Sequence, residues 1–181
     1  VGLTTTHEIT ITVNSINDLP VFTTPFVIDH PENKQDIITL QADDDSNTVF
    51  WSWTDPDIKE DTHLQLDKLT GELRFRISSG PDFDVNGTKT LVKEIRITDL
   101  DGNFTDGNFT INVKNLNDNP PLSPHLFANA SSTFTLQENS NFIVDLNASD
   151  QDNLFEPGFN NVLYSITGGA DQARFTVSAQ G

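Results

Sequence analysis

The sequence predicts an all-β protein built from two-sheet antiparallel sandwiches, and three observations support this class. Between Pro20 and Asn119, seven short strand-like runs are separated by clusters of Asp, Asn, Gly and Pro, which favour turns. No segment shows convincing helical periodicity. Two alternating segments, Ile9–Val13 and Phe109–Val113, are followed by similar Asn-Asp-x-Pro sequences 100 residues apart. The chain therefore has a repeated unit of that length.

The predicted strands of the complete unit follow one another at short intervals. Their apolar residues alternate with polar ones, or form short apolar runs, as in half-buried and buried strands. They are Phe26–Ile28, Ile37–Ala42, Val49–Trp53, Leu64–Leu66, Leu73–Ile77, Leu91–Thr98 and Phe109–Val113. Seven short strands in a unit of this size favour a sandwich.

The repeat divides the chain into three parts. We expect residues 1–19 to be the last strand and linker of a preceding unit, residues 20–119 to be a complete unit, and residues 120–181 to be the first part of a following unit. In the third part, the runs that correspond to early strands of the complete unit are Phe134–Leu136, Phe142–Leu146 and Val162–Ile166, with Phe175–Val177 as a further candidate. The chain is therefore expected to belong to a longer array.

The composition favours cations as partners. Ten Lys and Arg residues stand against 27 Asp and Glu residues, a formal net charge of -17, which disfavours nucleic acid and anionic membrane surfaces. The absence of cysteine excludes zinc-thiolate sites and cysteine nucleophiles. The four histidines lack the spacing of metal ligands and the partners of a catalytic triad, so we expect no enzymatic activity. No apolar run approaches the roughly 18 residues that span a membrane.

The segment Asn115–Pro121 directly follows the last predicted strand of the complete unit. Its Asn and Asp side chains and the carbonyl groups between them are hard oxygen ligands, which calcium prefers. Pro120 and Pro121 cannot continue the sheet, so the chain leaves it in an extended form. These residues predict a calcium site at the boundary between two units.

A unit that ends in a strand and an Asn-Asp-Asn-x-Pro linker resembles the extracellular repeat of the cadherin family. Glu32-Asn33 and Glu138-Asn139 fit the Glu-Asn pair of that family. Asp82-Phe83-Asp84 fits its acidic loop, although Asp84 stands where Glu is usual. The resemblance implies tandem seven-stranded, Greek-key, immunoglobulin-like β-sandwiches that bind calcium between successive repeats.

At the second junction, between residues 20–119 and 120–181, the resemblance implies ligands from three places. They are Glu32, Asp82 and Asp84 before the linker, Asn117, Asp118 and the carbonyls of Leu116 and Asn119 within it, and Asp150, Asp152 and Asn160 beyond it. At ~5 Å and an effective dielectric constant of ~20, each pair of these carboxylates repels by ~3 kcal/mol, so they converge only around cations. About three calcium ions would match their charge.

At the first junction, between residues 1–19 and 20–119, the same resemblance implies a smaller set of ligands. They are Asn17, Asp18, the Leu19 carbonyl, Asp43, Asp45, Asn47 and Asp99. We expect about one calcium ion there at most, because the ligands of a preceding unit are not among these residues.

The features together predict a calcium-stiffened segment of a cell-surface protein that acts in adhesion or recognition. The expected location is extracellular, in the ectodomain of a single-pass membrane protein whose membrane this segment does not contact. The expected partners are neighbouring repeats of the same chain and another cell-surface protein, by homophilic or heterophilic binding. Two alternatives stay open: a spacer repeat of a large bacterial surface adhesin, and a carbohydrate-binding accessory module that uses Trp51.

The sequence also contains N-glycosylation acceptor patterns. Their asparagines are Asn86, Asn103, Asn108, Asn129 and Asn147. About three such patterns arise by chance in a chain this rich in Asn, Ser and Thr, so they permit a eukaryotic secretory origin without requiring one.

Overall fold

The computed structural model describes residues 2–14, 16–55, 61–86, 90–122, 133–159, 161–179 and 181, with the side chain of Asn86 excepted. The strands are β1 Val21–Phe22, β2 Val27–Pro31, β3 Asp36–Thr39, β4 Ala42–Asp43, β5 Phe50–Trp53, β6 Leu64–Leu66, β7 Glu72–Phe75, β8 Thr90–Thr98 and β9 Phe104–Lys114. One helical turn, α1 Phe83–Asn86, precedes β8, and two 3₁₀ turns lie at Gln151–Asn153 and Gln172–Arg174.

The strands between Val21 and Lys114 form the predicted β-sandwich. One sheet has the strand order β2-β9-β8-β5 and the other has the order β3-β7-β6, while β1 and β4 form a short additional pair. All pairs are antiparallel except β2 and β9, which run parallel from Val27–Thr110 to Pro31–Lys114. The seven main strands match the seven runs expected from the alternation, and β1, β4 and α1 are additional.

The core lies between the two sheets, because alternate side chains of each strand point inward. Leu64, Leu73, Ile95, Ile97, Phe109 and Ile111 are each 0% exposed. The last two belong to β9, which continues directly into the linker. The packing therefore fixes the position at which the chain leaves the sandwich.

The expected strands outside this unit are not observed in the described residues. Ile9, Ile11 and Val13 are 81%, 82% and 89% exposed, and residues 2–14 contain no strand. Residues 133–159 and 161–179 also contain no strand, although Leu122 forms an isolated bridge with Ser149. A segment with an alternating sequence forms a strand only when a neighbouring strand pairs with its backbone N–H and C=O groups. No described segment provides such a neighbour here.

No helix in the described part of the chain is long and apolar enough to cross a membrane.

The buried residue Asp61 connects the two sheets. Its Oδ1 atom accepts hydrogen bonds from the backbone N–H groups of His63 and Leu64 at 2.9 and 3.0 Å, just before and at the start of β6. Its Oδ2 atom pairs with Lys93 Nζ on β8. Burial opposes ionisation of Asp61, but the hydrogen bonds from Lys93 and the two backbone groups outweigh it and lower the pKa of Asp61.

We expect Asp61→Asn to lower the free energy of unfolding at pH 7 by about 1–3 kcal/mol, because Lys93 loses its charged partner. A depressed carboxyl pKa stabilises the fold above the unfolded value of 3.8, and this stabilisation disappears as the pH falls through the folded value. The difference between Asp61→Asn and the wild type should therefore shrink towards pH 3. Urea unfolding at the two pH values measures it.

Asp106→Asn is the matched control for Asp61→Asn. Asp106 also pairs with a cation, Arg96 at 2.7 Å, but both side chains are 32% exposed. Its loss should cost no more than about 1 kcal/mol at pH 7. Equal losses in the two variants would contradict the role assigned to Asp61.

Candidate metal centre

Glu32 anchors the end of the sandwich at the second junction. It follows β2 directly and is 0% exposed. Its Oε2 atom accepts a hydrogen bond from the backbone N–H of Phe83 at 2.6 Å, and its Oε1 atom accepts one from Leu116 at 2.8 Å. One buried carboxylate therefore connects β2, the start of α1 and the linker.

The next residue, Asn33, turns the chain with a φ of 59°. Asn139, which follows Glu138 in the third part of the chain, has a φ of 65°. Both angles lie in the left-handed region, which asparagine adopts more readily than most residues. The asparagines of the two Glu-Asn pairs that the sequence suggested to be equivalent therefore both have a left-handed φ angle.

Three carboxylates meet at this end of the sandwich. One oxygen atom from each of Glu32, Asp84 and Asp118 lies within 4.8 Å of the other two. Asp84, in α1, is 2% exposed, and its Oδ1 atom is buried without a hydrogen-bond partner. Burial, followed by the charges of Glu32, Asp152 and other nearby carboxylates, raises the pKa of Asp84 to about 6.

Side-chain amides donate hydrogen bonds to Asp84, Asp118 and Asp152, whereas Glu32 accepts from backbone N–H groups. Asn119 Nδ2 lies 2.7 Å from Asp84 Oδ2, 3.0 Å from Asp118 Oδ1 and 2.8 Å from Asp152 Oδ1. Asn33 Nδ2 donates to Asp118 Oδ2 at 2.6 Å. An N–H dipole offsets only part of the repulsion between carboxylates, so the arrangement still favours a cation.

Residues beyond the linker complete the group. Asp152 is 0% exposed and Asp150 is 7% exposed. The backbone N–H of Asp152 donates to Asp150 Oδ1 at 3.0 Å, and the backbone N–H of Asn119 lies 3.2 Å from Asp152 Oδ1. The structure therefore brings two predicted ligands from beyond the linker to the predicted site.

The donor set fits calcium. It consists of oxygen atoms, the ligands that this hard cation prefers, and the buried Asp84 Oδ1 atom lacks any other partner. In the described residues, no Lys or Arg forms an ion pair with Glu32, Asp84 or Asp118. A bound cation would stabilise the buried Asp84 carboxylate, which lies beside other carboxylates and has one oxygen atom without a hydrogen-bond partner.

The other predicted ligands of the second junction lie around this group. Asp82 Oδ1 accepts the backbone N–H of Val85 at 2.9 Å, within the helical turn that carries Asp84. Leu116 and Asn117 are exposed. Asn160 lies outside the described residues. The sequence interpretation treated the asparagines of the linker as sources of oxygen ligands. It missed that Asn33, Asn115 and Asn119 donate hydrogen bonds through their side-chain amides, a role that no spacing pattern distinguishes.

The first junction is more open. Asp99 is 2% exposed and its Oδ2 atom accepts Asn17 Nδ2 at 2.7 Å. Asp18, Leu19, Asp43 and Asp45 line one recess together with Asp44. Asp43, Asp45 and Asn47 are exposed, and their role as ligands stays a prediction.

Asp44 is an additional candidate at the first junction that the sequence interpretation missed. Its Oδ2 atom accepts the backbone N–H of Ser46 at 2.9 Å, the bond that Asp150 makes with Asp152. Its Oδ1 atom is buried without a hydrogen-bond partner. Asp61 and Asp67 accept the same bond from His63 and Leu69, so this bond is a local turn contact, and Asp44 is a candidate ligand because of its buried oxygen without a partner.

The sandwich and its acidic end define extracellular repeats of the cadherin type. No sequence-family model matches the chain. The chain is 30% identical over 187 aligned positions to human Protocadherin Fat 4, an alignment that covers 96% of this chain and 4% of that protein. The chain therefore contains cadherin repeats and spans a small fraction of the length of this relative.

Solved structures show the same fold. The structure of human Protocadherin-24 EC1-2, form II, superimposes with a TM-score of 0.59 and 20% identity, covering 92% of this chain and 78% of that one. The human Desmocollin-1 ectodomain has a TM-score of 0.52 and 20% identity, covering 75% of this chain and 26% of that one. Both are cadherin ectodomain structures, as the sequence pattern predicted.

Two other kinds of candidate site were predicted, a carbohydrate-binding tryptophan and N-glycosylated asparagines. Trp51 is 4% exposed, so it offers no face on which a sugar could stack. Among the glycosylation candidates, Asn108 and Asn147 are exposed, and Asn103 is exposed while its Nδ2 donates to Asp99. Asn129 and the side chain of Asn86 lie outside the described part of the chain.

Without calcium at pH 7, we expect Asp84→Asn to raise the free energy of unfolding by about 1–2 kcal/mol, because it removes one charge from a buried group of like charges. The same variant should gain less stability when calcium is added. Thermal unfolding in chelator and in calcium measures both effects.

Asp36→Asn is the control for Asp84→Asn, since it removes the same charge from an exposed position of β3. It should leave both midpoints nearly unchanged. A destabilised Asp84→Asn in chelator would contradict the proposed repulsion.

Proposed function

We propose that this chain is a calcium-binding part of a cell-surface ectodomain and that calcium stiffens the connection between its repeats. The observation that carries the proposal is the approach of Glu32, Asp84 and Asp118 within 4.8 Å. Asp152, from beyond the linker, shares the Asn119 amide with Asp84 and Asp118. A cation held by these groups would connect the sandwich, the linker and the next repeat.

A bound calcium ion supplies positive charge to this group of carboxylates. Glu32 keeps the linker against the sandwich through the N–H of Leu116. Asp84 and Asp118 provide oxygen ligands on the near side of the junction, and Asp150 and Asp152 provide them on the far side. Without a cation, repulsion between the two sides favours their separation, because each is negatively charged.

The role that follows is adhesion or recognition, without catalysis. A stiff connection keeps successive repeats in one line and presents a binding surface at a fixed distance from its anchor. The partners are neighbouring repeats of the same chain and another cell-surface protein, and calcium near the millimolar concentrations of extracellular fluid suits sites of this class. The similarity to Protocadherin Fat 4 favours this role over a bacterial spacer, and the burial of Trp51 argues against carbohydrate binding.

Small-angle X-ray scattering should detect the stiffening directly. In millimolar calcium we expect a larger maximum dimension and a narrower distance distribution than in excess chelator, because the repeats cease to pivot at the junction. Magnesium at the same concentration is the control, since its smaller, octahedral coordination fits this set of carboxylates poorly. Identical profiles in calcium and chelator would refute the stiffening mechanism.

Asp118→Ala should lower the calcium affinity of the second junction about 10- to 100-fold, because it removes one of the three clustered carboxylates. Isothermal titration calorimetry measures the affinity and the number of ions bound. Asp106→Ala is the control, since Asp106 is paired with Arg96 outside this cluster. Unchanged binding by Asp118→Ala, or equal loss in both variants, would rule out the assigned ligands.

A further inference from the structure

The outer face of the β2-β9-β8-β5 sheet, which points away from the core, carries an N-glycosylation acceptor pattern in the middle of β9. Asn108 and Thr110 are two residues apart in this strand, so their side chains share one face. Phe109, between them, is 0% exposed and belongs to the core. Asn108 is exposed and Thr110 is half-buried. The two residues that define the acceptor pattern therefore lie on the solvent side of the sandwich.

The surroundings of Asn108 differ from those of Asn103, the acceptor candidate just before β9. Asn103 Nδ2 donates to Asp99 Oδ2 at 3.1 Å, so a sugar on that nitrogen would lie beside a predicted calcium ligand of the first junction. Asn108 lies opposite Glu94 of β8, which is also exposed. A substituent on Asn108 therefore extends into solvent, away from the core and from the predicted ligands.

Asn108 is also distant from both ends of its strand. β9 runs from Phe104 to Lys114, and at about 3.4 Å per residue Asn108 lies ~14 Å from the start and ~20 Å from the end. The predicted ligands of the second junction in the linker follow Lys114, and Asp99 precedes Phe104. Attachment of a sugar in the middle of the strand is therefore compatible with calcium binding at both junctions.

We propose that Asn108 is an N-glycosylation site and that its glycan covers the outer face of the β2-β9-β8-β5 sheet. The inference rests on the proposed function only because the chain must enter the secretory pathway. The donor is an oligosaccharide linked to a lipid pyrophosphate. The bond between its anomeric carbon and the pyrophosphate oxygen breaks, a bond from that carbon to Asn108 Nδ2 forms, and Nδ2 releases one proton. The lipid pyrophosphate is the leaving group.

The covered face has apolar side chains that otherwise contact water. Val27 of β2 and Val92 of β8 are both in register with Thr110, one on each side, and each is 61% exposed. Thr110 is ~7 Å from Asn108 along the strand, within reach of the first sugars of a glycan. Adjacent exposed apolar side chains favour contacts with other proteins. The glycan therefore keeps this face out of such contacts and leaves partner binding to other surfaces of the repeat.

Mass spectrometry of the chain secreted from eukaryotic cells behind a signal peptide tests the site. Enzymatic removal of N-glycans in heavy-oxygen water converts each modified asparagine into a labelled aspartate, and we expect this label at Asn108. Thr110→Ala should abolish the label, whereas Thr110→Ser should retain it, because serine keeps the acceptor hydroxyl. Asn112→Gln is the control, since Asn112 lies on the same face outside any acceptor pattern and should leave the label unchanged.

The reactivity of an introduced thiol tests the coverage of the face, because the chain contains no cysteine. Val92→Cys places the thiol on the covered face, and Leu69→Cys places it at a 71% exposed position between β6 and β7 of the other sheet. We expect a bulky maleimide to react with Val92→Cys about 3- to 10-fold more slowly in the glycosylated chain than in the chain that also carries Asn108→Gln. Leu69→Cys should react at the same rate in both.

Each result decides one part of the proposal. A secreted chain in which Asn147 is labelled and Asn108 is not would overturn the site, and this measurement needs no variant. Equal rates for Val92→Cys with and without the glycan would overturn the coverage of the face. Scattering of the same secreted chain in calcium and in chelator tests the proposed function separately. A labelled Asn108 in a chain that calcium does not stiffen would support the glycan site and count against the calcium mechanism.

Discussion

The second junction depends on one buried carboxylate. Glu32 is inaccessible to solvent and accepts backbone N–H groups from Phe83 and Leu116, which belong to segments far apart in the chain. A buried carboxylate is costly unless it is fully hydrogen-bonded, and these two bonds meet that requirement only when the linker lies against α1. The burial of the Glu32 charge and the position of the linker therefore depend on each other.

The same constraint explains the arrangement of the amides. With Glu32 fixed, Asp84 and Asp118 are held close to it, and their mutual repulsion must be offset by nearby donors. Asn33 and Asn119 provide these donors without adding charge, so the group keeps its attraction for a cation. A lysine in either place would form an ion pair and compete with calcium. Neutral side chains therefore offset part of the repulsion and leave the carboxylates without a cationic partner, as the proposed metal centre requires.

Much of this organisation could be predicted from the order of residues. The alternation in the complete unit located its seven main strands, and Leu64–Leu66 was predicted with its observed bounds. The ordered acidic residues predicted that Glu32, Asp84, Asp118 and Asp152 lie together, and the structure places them at one end of the sandwich. Their role as ligands stays a prediction. The strand predicted at Ile9–Val13 is not observed. Alternation of apolar and polar residues describes the two faces of a strand, but it does not show whether a second strand is present to pair with it. The donor contact of Asn115 and the buried Oδ1 atom of Asp44 were not predicted, because they depend on burial and on a particular hydrogen bond.

The parallel pairing of β2 with β9 has a mechanical consequence. Tension along an array of repeats would pull β2 towards its N-terminal end and β9 towards its C-terminal end, in opposite directions. Because the two strands run parallel from Val27–Thr110 to Pro31–Lys114, such a force loads their hydrogen bonds in shear, all at the same time. Strands that are unzipped from one end break their bonds one by one and at lower force. The strand that leads into the linker is thus paired in the geometry that best resists extension.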